Sequence, residues 1–82
     1  MSITGGQIRA GRALVRWSAE KLAEAARLGR ATVMRAEAVD GQPTLTEANR
    51  DAIRRALESA GVEFIPGDAG GGPGVRPRKE ST

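Results

Sequence analysis

The stretch from Ser18 to Glu37, SAEKLAEAARLGRATVMRAE, constrains the fold more than any other part of the chain. Ser18 is a favoured N-cap residue, because its side chain can accept a hydrogen bond from a free amide of the first helical turn. Glu20 follows in that turn, where the helix dipole favours negative charge. The apolar residues of one predicted helix face are Leu22, Ala23 and Ala26.

A second short helix is predicted directly after the first. The first helix should end near Arg27, and Gly29 can cap the next one. That second helix runs from Arg30 to about Ala38, with Val33 and Ala36 facing inward. The pattern predicts two short helices joined by a tight turn.

Another helix should precede this pair. Thr4 and Gln7 have the spacing of a capping box, and a helix to about Val15 follows. The residues that we expect to face inward are Ile8, Gly11, Leu14 and Val15. Trp17 directly precedes the N-cap Ser18, a position that commonly packs back onto its own helix, so we favour a core role over a base-stacking role.

A longer helix is expected in the second half of the chain. Asp40-Gly41 and Pro43 mark a turn, and Thr44 to Glu47 has capping-box spacing. The helix should continue to about Ala60 and end at Gly61. Its predicted inward residues are Ile53, Ala56, Leu57 and Ala60.

The hydrophobic period changes to two after this helix. Val62 and Phe64 share one face of a predicted strand, and Val75 marks a possible second strand. The glycine-rich stretch 66–73 lacks the Lys-Ser/Thr and the following helix of a phosphate-binding loop, so we interpret it as a hairpin loop. We therefore divide the chain into a helical domain at 1–61, a strand or hairpin at 62–76 and a disordered tail at 77–82.

Composition excludes several classes of function. The chain has no cysteine and no histidine, so it lacks thiolate ligands, the usual zinc ligand and the usual general base. We expect neither an enzyme nor a metal or cofactor site. No apolar run approaches the about 20 residues that a membrane span needs. We expect a cytoplasmic protein.

Positive charge is concentrated in the first half of the chain. Residues 1–35 carry six arginines and Lys21 against Glu20 and Glu24, a net charge of +5, whereas residues 36–82 have a net charge of −2. An arginine-rich surface is typical of phosphate binding, although a solvated surface is an equally good interpretation of charge alone.

From Gln7 to Ala60 the chain resembles the lambda-repressor-like, or Xre/Cro, family of helix-turn-helix regulators. The residues that carry the resemblance are Ile8-Arg9, Arg12, Trp17-Ser18, Leu22-Ala23, Leu28, Arg30-Ala31-Thr32-Val33 and Glu37. The resemblance implies a mainly α bundle of four to five short helices, here with a short C-terminal strand or hairpin. It also implies double-stranded DNA as the partner and a location at the nucleoid.

The family pattern makes the helix from Arg30 the recognition helix, with its N-terminal residues at base edges in the major groove. Arg30 and Arg35 are then candidates for guanine, since arginine pairs with O6 and N7. Ala31 and Met34 could contact thymine methyl groups, and Thr32 could donate to a phosphate. The residues that we expect at phosphates are Arg9, Lys21 and Arg27.

The resemblance also pairs Arg12 with Glu37 in a structural ion pair between the helix that precedes Trp17 and the recognition helix.

Three residues depart from the family pattern. Ala19 replaces a frequent glutamine that binds backbone phosphate, and Arg16 and Arg27 stand where glycine is frequent at helix ends. These departures either add phosphate contacts or weaken DNA binding.

The implied function is sequence-specific transcriptional regulation, most often repression, by a homodimer. Because an unpaired edge strand tends to associate, we expect the C-terminal strand to pair with a second chain or with its own hairpin. We expect dimerisation to involve the helix that ends at Ala60 and the strand residues Val62, Phe64 and Ile65. One alternative is an antitoxin whose C-terminal strand binds a toxin. Another is a protein-interaction module that has lost DNA specificity.

Overall fold

The computed structural model describes residues 2–79. The chain is mainly helical, with four α-helices followed by a two-stranded antiparallel hairpin among those residues. The elements are α1 (Gly5–Val15), α2 (Ala19–Ala26), α3 (Arg30–Glu37), α4 (Glu47–Ser59), β1 (Val62–Ile65) and β2 (Gly74–Pro77). The predicted mainly α class is confirmed. None of the helices described is long and apolar enough to cross a membrane.

Side-chain caps start the first two helices where the sequence predicted them. The Thr4 hydroxyl accepts from the Gln7 amide at 3.0 Å, and the Gln7 carboxamide oxygen accepts from the Thr4 amide at 2.8 Å. The Ser18 hydroxyl accepts from the Lys21 amide at 3.0 Å. These bonds satisfy amides that have no partner within their own helices.

The N-terminus of α4 lies two residues later than the capping-box spacing suggested. Thr46, not Thr44, is the N-cap, and its hydroxyl accepts from the Asn49 amide at 3.1 Å. Leu45 is half-buried against the core. Leu45 directly precedes the N-cap, a position from which an apolar side chain commonly packs back onto the helix.

One hydrophobic core joins all four helices and the hairpin. Its fully buried large side chains are Ile3, Ile8, Leu22, Val33, Ile53, Leu57 and Val62. Ile3 precedes α1 and was not predicted as a core residue. Leu14, which we expected to face inward, is 43% exposed. Gly11 is buried as expected, and an added Cβ there would lie 3.2 Å from a Leu57 methyl group, so α1 and α4 approach closely at this point.

The C-terminal strand takes one of its two expected pairings, that with its own hairpin. β1 pairs with β2, with Val62 opposite Pro77 and Phe64 opposite Val75. Val62 and Phe64 face the core at 0% and 5% exposure, so they are not surface residues available for dimerisation. The strand is paired within its own chain, and only Ile65 of the three expected dimerisation residues remains half-exposed.

The ordered chain extends further than the predicted boundary at residue 76. Pro77 belongs to β2, and the Arg78 amide donates to the Gly61 carbonyl at 2.7 Å. Residues 80–82 of the expected tail lie outside the described residues. In the hairpin loop, the Asp68 carboxylate accepts from the Gly70 and Gly71 amides at 2.8 and 3.1 Å. Because a carboxylate of the loop itself takes these amides, the hairpin-loop interpretation fits better than a phosphate site.

Candidate nucleic-acid interface

A short turn sets the arrangement of α2 and α3. Arg27 ends α2 in the left-handed conformation with φ of 58°, and Gly29 is the N-cap of α3. Between them Leu28 is half-buried against the core, and its amide donates to the Ala23 carbonyl at 2.9 Å. Leu22 from α2 and Val33 from α3 are fully buried, so the two helices are held together by apolar packing.

The two faces of α3 have different environments. The inward face carries Val33, Ala36 and Glu37, which are 0%, 1% and 9% exposed. The outward face carries four of the residues predicted to contact DNA, namely Arg30, Ala31, Met34 and Arg35, and all four are exposed. Thr32 is half-buried on the flank. The helix therefore presents a continuous outward face while its inner face is fixed in the core.

The ion pair expected between Arg12 and Glu37 is present and fixes the C-terminal end of α3. Two nitrogens of the Arg12 guanidinium reach the two Glu37 carboxylate oxygens, each at 2.7 Å. A third donates to the Trp17 carbonyl at 2.9 Å. The hydrogen bonds that Arg12 donates to Glu37 raise the pKa of Arg12 above its ordinary value, against the opposing effect of burial.

Arg9 has a structural role that the sequence did not reveal. We expected a phosphate contact, but its guanidinium donates to the Glu37 carbonyl, to the Val39 carbonyl at 3.2 Å and to the Asp40 carboxylate. These groups lie at the C-terminal end of α3, where carbonyl oxygens lack partners within the helix. Arg9 therefore caps α3 from α1, and we leave it out of the candidate interface.

The N-terminus of α1 lies directly against the same chain segment. The Gly5 amide donates to the Gly41 carbonyl at 2.9 Å, and the Gly6 amide donates to the Asp40 carbonyl at 3.2 Å. An added Cβ on Gly5 would lie 1.9 Å from the Val39 carbonyl oxygen, so no side chain fits there. These contacts, together with Arg9 and Arg12, hold α3 in one orientation.

Positive charge on the exposed surface is largely uncompensated. Among residues 2–79, Arg27, Arg30 and Arg35 form no ion pair. Lys21 lies 3.7 Å from Glu24, but both side chains are more than half exposed, and a pair of this kind contributes little in water. The N-terminus of α3 has no side-chain cap and no acidic residue in its first turn. Such a helix end favours an approaching anion.

A shallow cleft of about 400 Å³ borders the exposed face at the C-terminal end of α3. It lies between Arg35, Val39 and the loop that carries Gln42 and Thr44. Gln42 was not among the predicted site residues, because a turn motif alone does not indicate which polar side chains flank a helix end. Within the described part of the chain, no group of three or more acidic side chains is arranged to hold a metal ion.

Comparison with known proteins adds no assignment. No protein-family model matches the chain, and no curated protein matches it.

Proposed function

We propose that the chain is a sequence-specific DNA-binding transcriptional regulator of the lambda-repressor-like helix-turn-helix class, with α3 as its recognition helix. The observation that carries the proposal is the outward face of α3. It is exposed and bears two arginines without ion pairs, whereas its opposite face is fixed by the core and by Arg12. A rigid helix with an exposed basic face fits the requirements of major-groove insertion.

Base recognition in this proposal belongs to four side chains. Arg30 and Arg35 are five positions apart, which separates them by about 140° around a helix. One of them therefore pairs with guanine while the other contacts the backbone. Ala31 and Met34 provide apolar contact to thymine methyl groups, for which the 50% exposure of Met34 leaves enough free surface.

Phosphate binding belongs to Lys21 and Arg27, which lie on α2 and in the turn after it. Both are exposed. Ala19 cannot make the phosphate contact that glutamine makes in many family members, so these cations have a larger part here. Thr32 is half-buried, and its hydroxyl lies close to Gly29 at the start of α3. From there the hydroxyl could donate to a backbone phosphate that also contacts Arg27 or Lys21.

The protein binds as a homodimer in this proposal, on half-sites about 34 Å apart, one turn of DNA. Burial of Val62 and Phe64 removes the dimer contacts that we first assigned to them. Ile65 is the only residue of that group left at the surface.

In-vitro selection of DNA from a random library with the purified protein tests the proposal. We expect enrichment of one motif, and loss of that enrichment in the Arg30→Ala, Arg35→Ala double variant. Lys21→Ala should weaken binding to all sequences alike. It should also reduce the slope of the logarithm of the binding constant against the logarithm of salt concentration by about one. Arg78→Ala, which removes an exposed arginine at the end of the hairpin, is the matched control.

The interaction-module alternative rests on the departures from the family pattern at Ala19, Arg16 and Arg27. Arg16 and Arg27 both hold the left-handed conformation at helix ends, where glycine costs less. Binding without motif enrichment that disappears between low and physiological salt would support that alternative and would reject sequence-specific regulation.

A further inference from the structure

A groove between α2 and α4 adjoins the surface used by the proposed function and shares Arg27 with it, but it does not include the outward face of α3. It has a volume of about 480 Å³ and is shallow and open. Its walls include Ala26 from α2, Ala52 and Ala56 from α4, and the Trp17 ring. Arg27 and Arg55 also border it, and both are exposed. We call this surface the α2–α4 groove.

The apolar part of the groove is set by Trp17 and the alanines. Trp17 is the only tryptophan in the chain and is half-buried, so part of its ring packs on the core and part remains at the surface. Ala52 and Ala56 are half-buried as well. An indole beside a row of methyl groups leaves room for a large apolar side chain of a partner, the type of contact that dominates protein interfaces.

The charge at the groove is positive because the neighbouring acids are already paired. Arg54 forms ion pairs with its two acidic neighbours on α4, at 3.2 Å to Asp51 and 3.0 Å to Glu58. The hydrogen bond from Arg54 is also the main reason that the pKa of Asp51 lies below its ordinary value. Arg55 and Arg27 form no ion pair among the described residues.

We propose that the α2–α4 groove docks a segment of another protein that carries a large apolar side chain flanked by acidic residues. The apolar side chain lies against Trp17 and the alanines, and the carboxylates pair with Arg27 and Arg55. This partner site shares Arg27 with the proposed phosphate contacts and is separate from the base-contacting face of α3.

The shape and charge of the groove disfavour the other occupants. A second copy docked symmetrically on the same surface would bring Arg27 and Arg55 against the same positive patch. A nucleic acid backbone could pair with Arg27 and Arg55 at the border, but its phosphates would then leave the apolar floor of alanine methyl groups and the Trp17 ring unused. The volume lies within the range of small-molecule sites, but those sites are usually enclosed, and this groove is open.

Fluorescence of Trp17 tests the proposal directly, since no other tryptophan contributes. The probe is a synthetic amphipathic peptide with leucine and phenylalanine on one face and glutamate on the other. Two matched peptides replace either every glutamate with lysine or every apolar residue with serine. We expect saturable binding and a blue shift of Trp17 emission with the acidic apolar peptide alone.

Charge reversal distinguishes the groove from general attraction to a basic protein. Arg55→Glu should weaken peptide binding by about tenfold or more, because like charges then meet at the contact. Arg78→Glu reverses one charge on the hairpin in the same way and should leave peptide binding nearly unchanged. The Arg30→Ala, Arg35→Ala variant should lose DNA selection and keep peptide binding, so failure of one proposal is separable from failure of the other.

Several results would overturn the proposal. Equal binding of the glutamate and lysine peptides would do so, as would equal weakening by Arg55→Glu and Arg78→Glu. An emission shift that depends only on protein concentration would assign the groove to a second copy. Loss of DNA binding in Arg55→Glu to the extent seen in the Arg30→Ala, Arg35→Ala variant would assign it to nucleic acid.

Discussion

Two guanidinium nitrogens of Arg12 each lie 2.7 Å from a carboxylate oxygen of Glu37, and this ion pair joins the last turn of α1 to the last residue of α3. Glu37 is only 9% exposed, and the Arg12 side chain is 24% exposed. A two-point contact of this kind restricts the rotation as well as the position of α3. Through it, α1 determines how the exposed face of α3 is presented.

Removal of one partner should therefore destabilise the fold strongly. Glu37→Ala leaves a largely buried guanidinium without its carboxylate, and we expect a loss of about 3 kcal/mol in the free energy of unfolding. Urea denaturation followed by circular dichroism measures it. Glu24→Ala is the control, because the Glu24 side chain is 75% exposed, and the change there should stay within about 0.5 kcal/mol.

A double variant separates the cost of an unpaired charge from the value of the pair. Arg12→Met with Glu37→Leu replaces both charges with apolar groups of similar size and should recover most of the stability lost in Glu37→Ala. Equal losses in Glu37→Ala and Glu24→Ala would contradict the structural role of the pair.

Gln7 links the start of α1 to the loop end of the hairpin, where β1 ends and β2 begins. Its side chain is 3% exposed, and its nitrogen donates to the Ile65 and Gly74 carbonyls at 3.2 and 3.0 Å. Gln7→Ala removes these bonds and half of the capping box, so we expect a loss of about 2–4 kcal/mol. Hydrogen exchange should show faster opening of β1 and β2 than of α4, and Gln42→Ala, at an exposed position, should show neither effect.

The left-handed conformation of Arg27 leads us to predict a gain in stability for one substitution at this position and none for another. Glycine adopts φ of 58° without the Cβ clash, so Arg27→Gly should stabilise the protein by about 0.5–1 kcal/mol. Arg27→Ala keeps the Cβ and should bring no gain. Thermal unfolding measures both variants, and a gain in the alanine variant as large as in the glycine variant would show that backbone strain is not the cause.

From the Glu63–Arg76 pair on the hairpin we predict that the stability of the protein falls at low pH. The hydrogen bond from Arg76, at 2.6 Å, lowers the pKa of Glu63 below its ordinary value. A lowered folded-state pKa contributes stability at neutral pH, above the unfolded value, and that contribution is lost as pH falls through the lowered pKa. Glu63→Gln should therefore flatten the decline of stability in acid.

NMR titration of the Glu63 carboxylate tests the same pair without unfolding. Arg76→Gln should raise the pKa of Glu63 toward its ordinary value. Arg78→Gln should raise it less, because Arg78 acts on Glu63 only through a weaker electrostatic attraction. An equal effect of the two variants would show that the hydrogen bond is not the main cause.

Local sequence patterns determined most of the helical structure. The caps at Thr4 and Ser18 were predictable because a capping side chain and its amide lie within three residues of each other. The inward positions of Ile53 and Leu57 followed from the helical period. The exposed face of α3 followed in the same way, since burial of Val33 and Ala36 leaves Arg30 and Met34 outside.

Only the tertiary structure decided which of several possible partners each side chain met. Arg9 could have reached solvent or a phosphate, but the end of α3 lies next to it and takes its donors. Gln7 meets the hairpin across 58 and 67 residues of sequence, a distance over which no local pattern operates. The alternation of Val62 and Phe64 predicted a strand with one apolar face. Whether that face would meet the core or a second chain depended on how closely α1, α4 and the hairpin pack, and that packing is a property of the whole fold.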